Sequence, residues 1–247
     1  MPSLSDRDRE LVSFDELKVA KGHHPMMLQF DPSREEFDAF LDLQLRLVGL
    51  RLSDLSGEMQ DIYECIEEQF SRIRNKYYRS GDAPVLRLGH NAQYTILLYH
   101  MARSAFAGGR RGTADRIYTL LRMVSGVDLY YEVALPKFWC CDHPLGSVIG
   151  RGHFGKDASL FFSQNCNIGN NSGVFPRITG NLYMLANSSV LGATHVAGNV
   201  LLANGTCAID AGELAECVVF GRSPNLSIKS ITAARFRELT PFWHDVR

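Results

Sequence analysis

The 247-residue chain is notable first for what it lacks. No apolar run approaches the ~18 residues that a bilayer span needs, so no transmembrane helix and no membrane partner is predicted. Its 26 lysines and arginines are met by 27 aspartates and glutamates, a formal charge of −1, which excludes a nucleic-acid binder that relies on a broad basic field. The six cysteines, at 65, 140, 141, 166, 207 and 217, contain no CxxC pair and no Cys/His cluster at zinc-finger spacing. Free thiols in a reducing cytoplasm are the expectation. The opening segment MPSLSDRDRELVSFDELK is charged and has no apolar stretch, so no secretory signal is predicted and the chain is expected in the cytoplasm.

What is present divides into two halves. Residues 34–80 carry helical patterning. REEFDAFLDLQLRLVGLRL places Phe37, Phe40, Leu41, Leu45 and Val48 on one stripe. GEMQDIYECIEEQFSRIRNKYY does the same with Met59, Ile62, Ile66, Phe70 and Ile73, and predicts a helix running to Tyr78. Two more helices are expected, over NAQYTILLYHMARSAF, stopped by GGRRG, and over ADRIYTLLRMVSG, ended by Gly126. A last one is expected in the tail, with Ala233, Phe236 and Leu239 on a stripe ahead of Pro241. The first 30 residues, His23, His24 and Pro25 among them, show no period.

Past Gly126 a different period takes over. Ile178, Met184, Val190, Val196, Leu202 and Ala208 recur every six residues, all apolar. Small or β-branched residues mostly follow four positions later, and turn-tolerant ones two positions later. Such a period fits a coil with three flat faces, each hexapeptide giving one short strand and one turn. Phe162 and Ile168 extend the phase upstream. The ten-residue step from Ile168 to Ile178 adds four residues, and NNSGVFPR is predicted to bulge from the coil.

Hexapeptide periodicity behind a helical block resembles the serine acetyltransferases, which are left-handed β-helix acyltransferases. Val127-Asp128-Leu129 is similar to that family's Val-Asp-Ile segment, and DHPLGSVIG (142–150) to its Asp-His-x-x-Gly-x-Val-x-Gly segment. GRSPNLSIK (221–229) falls where the family leaves the prism. The fold so implied is α+β: a helical domain over 1–125, a left-handed parallel β-helix over 126–229 and a tail over 230–247.

The resemblance implies an acetyl-CoA-dependent O-acetyltransferase acting on a small-molecule acceptor with a hydroxyl. His143 becomes the general base and Asp128 the carboxylate that orients it. An alcohol is a poor nucleophile until its proton leaves, and a neutral imidazole can accept that proton near pH 7. A carboxylate on the other ring nitrogen fixes the tautomer and stabilises the imidazolium. Asp142 is placed against the acceptor's amino group, with a simple turn carboxylate as the alternative. His90, in GHNAQY with Gln93 and Tyr94, could reach the acceptor from the helical block, or could serve helix capping and domain packing. The family's Arg-His before Pro-Lys-Ile is replaced by Val174-Phe175 before Pro176-Arg177-Ile178. Val and Phe cannot hold a carboxylate, so free serine is disfavoured against a sugar hydroxyl or a derivatised serine, unless Arg151 or Arg177 supplies the charge.

Acetyl-CoA would thread along small residues of the later coils, Ala186, Asn187, Gly192, Ala203 and Asn204, which turn geometry alone would also explain. Arg222 and Lys229 are candidates for its phosphates. No metal is required. The family's assembly implies a homotrimer, with pairing of two trimers open. Two other readings stay in view: a noncatalytic β-helix scaffold, and a zinc enzyme like the β-helix carbonic anhydrases using His143, His153 and His195, although these lack that family's close histidine pair.

Overall fold

In a computed structural model, residues 27–242 are described. The expectation for His23, His24 and Pro25 lies outside them. Four helices form the N-terminal block: α1 (Arg34–Arg46), α2 (Ser56–Ser71), α3 (Asn91–Ala107) and α4 (Arg111–Ser125). No helix among the described residues is long and apolar enough to cross a membrane.

Local chemistry sets the helix ends. Ser33 caps α1 by accepting from the Glu36 amide. The helix stops at Arg46, short of the predicted Leu52, because Gly49 takes φ +70°. Its amide then bonds Arg46 O at 3.1 Å and the Leu50 amide bonds Leu45 O at 3.0 Å, a Schellman closure. Helix α2 likewise ends at Ser71 and not Tyr78. There the Asn75 side chain accepts from the Tyr77 amide and starts a separate short turn. Gly126, at φ +65°, ends α4 as predicted. The stripes Phe37, Leu41, Leu45 and Met59, Ile62, Ile66, Phe70 are buried, and α3 is buried along nearly its whole length between its neighbours. A small sheet of Gln29–Asp31, Ala83–Arg87 and Arg79–Ser80 flanks the helices and has no counterpart in the sequence pattern. Its strands are too short to show a period.

The rest is a parallel β-solenoid of about five turns with three faces. Face one stacks strands 128–129, 148–149, 167–169, 189–191 and 207–209. Face two stacks 153–154, 177–178, 194–196 and 212–214. Face three stacks 138–141, 159–162, 181–184, 199–202 and 217–219. Register follows the hexads. Ile178 lies beside Val196, Met184 beside Leu202 and Val190 beside Ala208, three hexads apart each time. All six side chains are fully buried. Each column is a continuous apolar stack inside the prism.

The insertion breaks register as predicted. Asn167 pairs with Ser189, 189 − 167 = 22 residues on, whereas Ser189 pairs with Cys207, 207 − 189 = 18 on. The extra four residues close as a tight turn, Asn171 and Val174 exchanging both amide bonds at 2.9 Å while Ser172 and Gly173 take φ +51° and +85°. Asn171 Nδ2 anchors this turn to Asp210 at 2.6 Å.

The faces are unequal. On face three the outward column Cys140, Phe161, Tyr183, Leu201 and Val218 is also buried. Phe161 stacks on Tyr183 and meets Phe242 of the C-terminal tail. The tail helix α5 (Ala233–Leu239) forms where expected and buries Phe236. Strands 217–222 and 225–230 form an antiparallel hairpin, so residues 225–230 fold back along the last strand of face three. The chain reverses there through the two-residue turn Ser223–Pro224, between the paired Arg222 and Asn225.

Candidate active site

The chain turns from face three to face one in a corner repeated on every rung. In the first rung this corner is Asp142–Ser147, and His143 stands in it at φ +47° with its side chain 81% exposed. Left-handed backbone at a non-glycine residue is uncommon. Here it throws the imidazole outward while Pro144, behind it, is buried. Gly146 of the same corner, at φ +74°, stacks on a left-handed residue in each rung below, Asn165, Asn187 and then Gly205, with φ +53°, +62° and +75°, so His143 is an additional left-handed residue of the first rung. Asn165 Nδ2 donates to Asn187 Oδ1 at 3.0 Å, and Asn187 Nδ2 to Asn204 Oδ1 at 3.4 Å, a ladder running down the corner below Gly146.

His143 Nε2 approaches Asp142 Oδ2 at 3.9 Å. Asp128 sits at the head of face one, its amide bonded to Ser147 O at 2.9 Å, so its backbone is tied to the same corner. Its carboxylate is held by Tyr118 of α4, whose hydroxyl donates at 2.6 Å. Among the described residues no hydrogen bond or ion pair joins Asp128 to His143. Burial, then the bond to Asp128, pushes the Tyr118 phenol up to about 12, so it stays a donor across the ordinary pH range. Nothing in the period of α4 marked Tyr118, which shares its helix with the core stripe.

His90 arrives from the helical block. It caps α3, accepting from the Gln93 amide, and lies against the rings of Tyr77 and Tyr78. Burial lowers its pKa; nearby Asp142 opposes that shift and His143 adds to it. These opposing influences place His90, Asp142 and His143 within electrostatic reach of one another. Gln93 is committed elsewhere, donating to Tyr77 O at 2.8 Å and accepting from the Arg87 amide at 2.7 Å. Tyr94 is buried against Phe37 and Phe40. Both serve packing.

The residues matched to the CoA groove divide between places. Ala186, Asn187, Ala203 and Asn204 lie along the corner below His143. Gly192 lies on the next corner, where a side chain would strike the Asp210 carboxylate and come 2.7 Å from Asn171 Cβ. Its glycine identity is a packing requirement of the anchored insertion. Arg222 pairs with Asn225, and Lys229 with Val218, in the terminal hairpin, with the Lys229 ammonium over the Phe220 ring.

Phe175 and Arg177 are carried by the insertion and by face two, not by the His143 corner. Arg177 stands on face two between His153 and His195. The three histidines of the zinc reading therefore do not converge, and His195 is engaged by Thr179 at 2.9 Å and Glu213 at 3.4 Å. Arg151 lies 3.6 Å from Glu132.

Solved serine acetyltransferases share this architecture. The enzyme from Vibrio cholerae O1 biovar El Tor N16961 aligns over 85% of this chain and 83% of its own with a TM-score of 0.60 at 15% identity. The enzyme from Neisseria gonorrhoeae aligns over 85% of both chains with a TM-score of 0.55 at 16% identity. A serine acetyltransferase solved in complex with CoA aligns over 78% of this chain and 83% of its own, with a TM-score of 0.55 at 10% identity. The chain has the serine acetyltransferase fold. At these identities the likeness is one of fold. No protein-family model matches the sequence, and no curated protein sequence matches it.

Proposed function

We propose that this protein is an acetyl-CoA-dependent O-acetyltransferase whose general base is His143. One observation carries the reading: the exposed, left-handed His143 heads the corner along which Ala186, Asn187, Ala203 and Asn204 are stacked. Ala186 and Ala203 end at Cβ, so a thin pantetheine chain can approach the backbone beneath the imidazole. The similar structure solved with CoA supports the choice of acyl donor.

In the reaction the acceptor hydroxyl gives its proton to His143 as its oxygen attacks the thioester carbonyl. The tetrahedral intermediate collapses, the C–S bond breaks, and the departing thiolate takes the proton back from the imidazolium. The products are an acetyl ester and free CoA thiol. Asp128 is the orienting carboxylate. Tyr118 holds one of its oxygens, which leaves the other for the imidazole. Asp142 and His90 line the acceptor side. Val174 and Phe175 make a free amino-acid carboxylate a poor fit, so the acceptor is a sugar hydroxyl or a serine whose carboxylate is blocked.

The insertion and His143 occupy different corners, so one chain does not bring them together. A trimer, in which a neighbour's insertion closes each His143 corner, completes the site, and faces one and two remain open for that contact. The six free cysteines fit a reducing, cytoplasmic setting. The test is thiol release from acetyl-CoA across a panel of free L-serine, serine esters and sugars. We expect turnover with a carboxylate-free acceptor and a loss of about 10²–10⁴-fold in His143→Ala. Normal turnover in that variant would remove the base. The absence of any affinity for CoA would favour the scaffold reading.

A further inference from the structure

The third corner of the prism, between faces two and three, belongs to neither the His143 corner nor the insertion. Two adjoining cavities lie between it and the helical block. The larger, about 620 Å³, runs down four rungs from Asp157 past Gly180 and Gly198 to Glu216, with Phe138 at the head of face three and Arg72 on the helical side. The smaller, about 320 Å³, is walled by Tyr99, Leu135, Pro136, Trp139 and Phe154. Lys137, Lys156 and Asp157 line both, and so stand where the two meet.

Charge and polarity differ along this groove. Lys137 Nζ lies 2.8 Å from Glu68, which Arg72 also approaches at 4.0 Å. Lys156 is exposed and forms no ion pair among the described residues. Around the junction three cations, Arg72, Lys137 and Lys156, thus face two carboxylates, Glu68 and Asp157. At the far end Glu216 is satisfied by Asn199, whose Nδ2 and amide donate at 2.9 and 3.1 Å. Inside the smaller cavity Arg103 is buried and donates to Tyr131 O at 3.1 Å, adding positive charge among aromatic walls. His100 beside it is neutral at pH 7, since burial pulls it down to about 4. An apolar, aromatic chamber with a surplus of cations at its mouth favours a ligand whose body is apolar and whose head is anionic.

We propose that this corner is a second ligand site, which takes a small organic anion with its aromatic or aliphatic body in the smaller cavity and its anionic head at Lys137 and Lys156. The site is separate from acyl transfer and does not depend on it. Its location at the joint between helices and prism means that occupancy ties the two together and raises the unfolding temperature.

The test uses naphthalene-2-carboxylate and its uncharged analogue naphthalene-2-methanol, titrated calorimetrically into the full-length protein with and without CoA. We expect saturable binding of the carboxylate at one per chain, at least tenfold weaker binding of the alcohol, and no displacement by CoA. Lys156→Glu, on an exposed side chain, should weaken carboxylate binding at least tenfold. Ala134→Trp, which fills the smaller cavity, should abolish it. Should the tryptophan variant fail to fold, Lys156→Glu still decides. The absence of saturable binding, an affinity unchanged in Lys156→Glu, or complete displacement by CoA would each overturn the proposal.

Discussion

The helical block and the prism bury the same kinds of side chain but are held together by different constraints. In the block, Leu97 on α3 has neighbours supplied by whichever helices pack around it, and a local change in backbone can be absorbed by a shift of one helix against another. In the prism, Met184 sits between Phe162 and Leu202 because each rung is bonded to the next through parallel strands. Rungs repeat at a fixed spacing of ~4.8 Å and cannot spread at one corner without breaking hydrogen bonds on the adjoining faces. Among the described residues, the glycines whose added Cβ would come within 3 Å of main-chain atoms lie in the prism and its closing hairpin.

The largest effect should follow from testing that contrast with a single methyl. At Gly180 a Cβ would fall 2.6 Å from Gly198 N and 2.8 Å from Ala197 C, main-chain atoms of the next rung that cannot turn aside. Gly180→Ala should cost more than about 3 kcal/mol, beyond the usual range for overpacking, because the strain is spread over stacked rungs. Thermal unfolding at fixed protein concentration would show it. A change of less than about 1 kcal/mol would mean that the rungs are looser than their register implies.

The second test concerns a histidine buried in the block. His100 on α3 is fully enclosed, its Nε2 2.8 Å from Gln69 Oε1, and Gln69 in turn donates to the Trp139 carbonyl at the joint with the prism. Its folded pKa is about 4 against an ordinary 6.5. The unfolded chain therefore takes up this proton first as pH falls. The stabilising contribution is complete above pH 6.5 and is lost progressively down to pH 4. It totals about 3 kcal/mol, from 2.5 pKa units at 1.36 kcal/mol each. Denaturant midpoints measured from pH 7 to pH 4 should carry this slope, and His100→Phe should flatten it even if it lowers stability throughout.

The same contrast governs what could be read from the sequence. The prism was legible because its period is imposed by geometry. Any residue at the Ile178–Ala208 positions must point inward, so a run of apolar sixes hardly arises in a chain that does not coil this way. The early rungs were less legible, since 128–129 to 148–149 and 138–141 to 159–162 are separated by 20 and 21 residues and not 18. Helices were found by their stripes, but their ends depended on Gly49 and Asn75, whose roles show only in the backbone. For the candidate site, the sequence pointed to His143, Asp142, His90 and Asp128; the fold sets His143 Nε2 3.9 Å from Asp142 Oδ2 and gives Asp128 to Tyr118 instead. The sequence did not reveal that Tyr118 claims Asp128, because a tyrosine on a helix carries no spacing signal for a partner ten residues on. Nor did it reveal that Phe175 and Gly192 belong to another corner. A hexad assigns a residue to a rung, but the corner it serves depends on how many residues precede it.

The smallest effect should come from the opposite end of the comparison. Gly57 is in the first turn of α2, exposed, with nothing within 4 Å of where its Cβ would be and no left-handed φ. Alanine there meets no neighbour, narrows the unfolded ensemble and improves helix propensity, so Gly57→Ala should stabilise by about 0.5 kcal/mol, less than a mid-helix position would give. For a domain of this size that is a rise of about 1–2 °C in Tm. The substitution is chemically identical to the one at Gly180 and opposite in sign. If both variants were to lose stability by similar amounts, the clash between rungs would not be what separates the two regions.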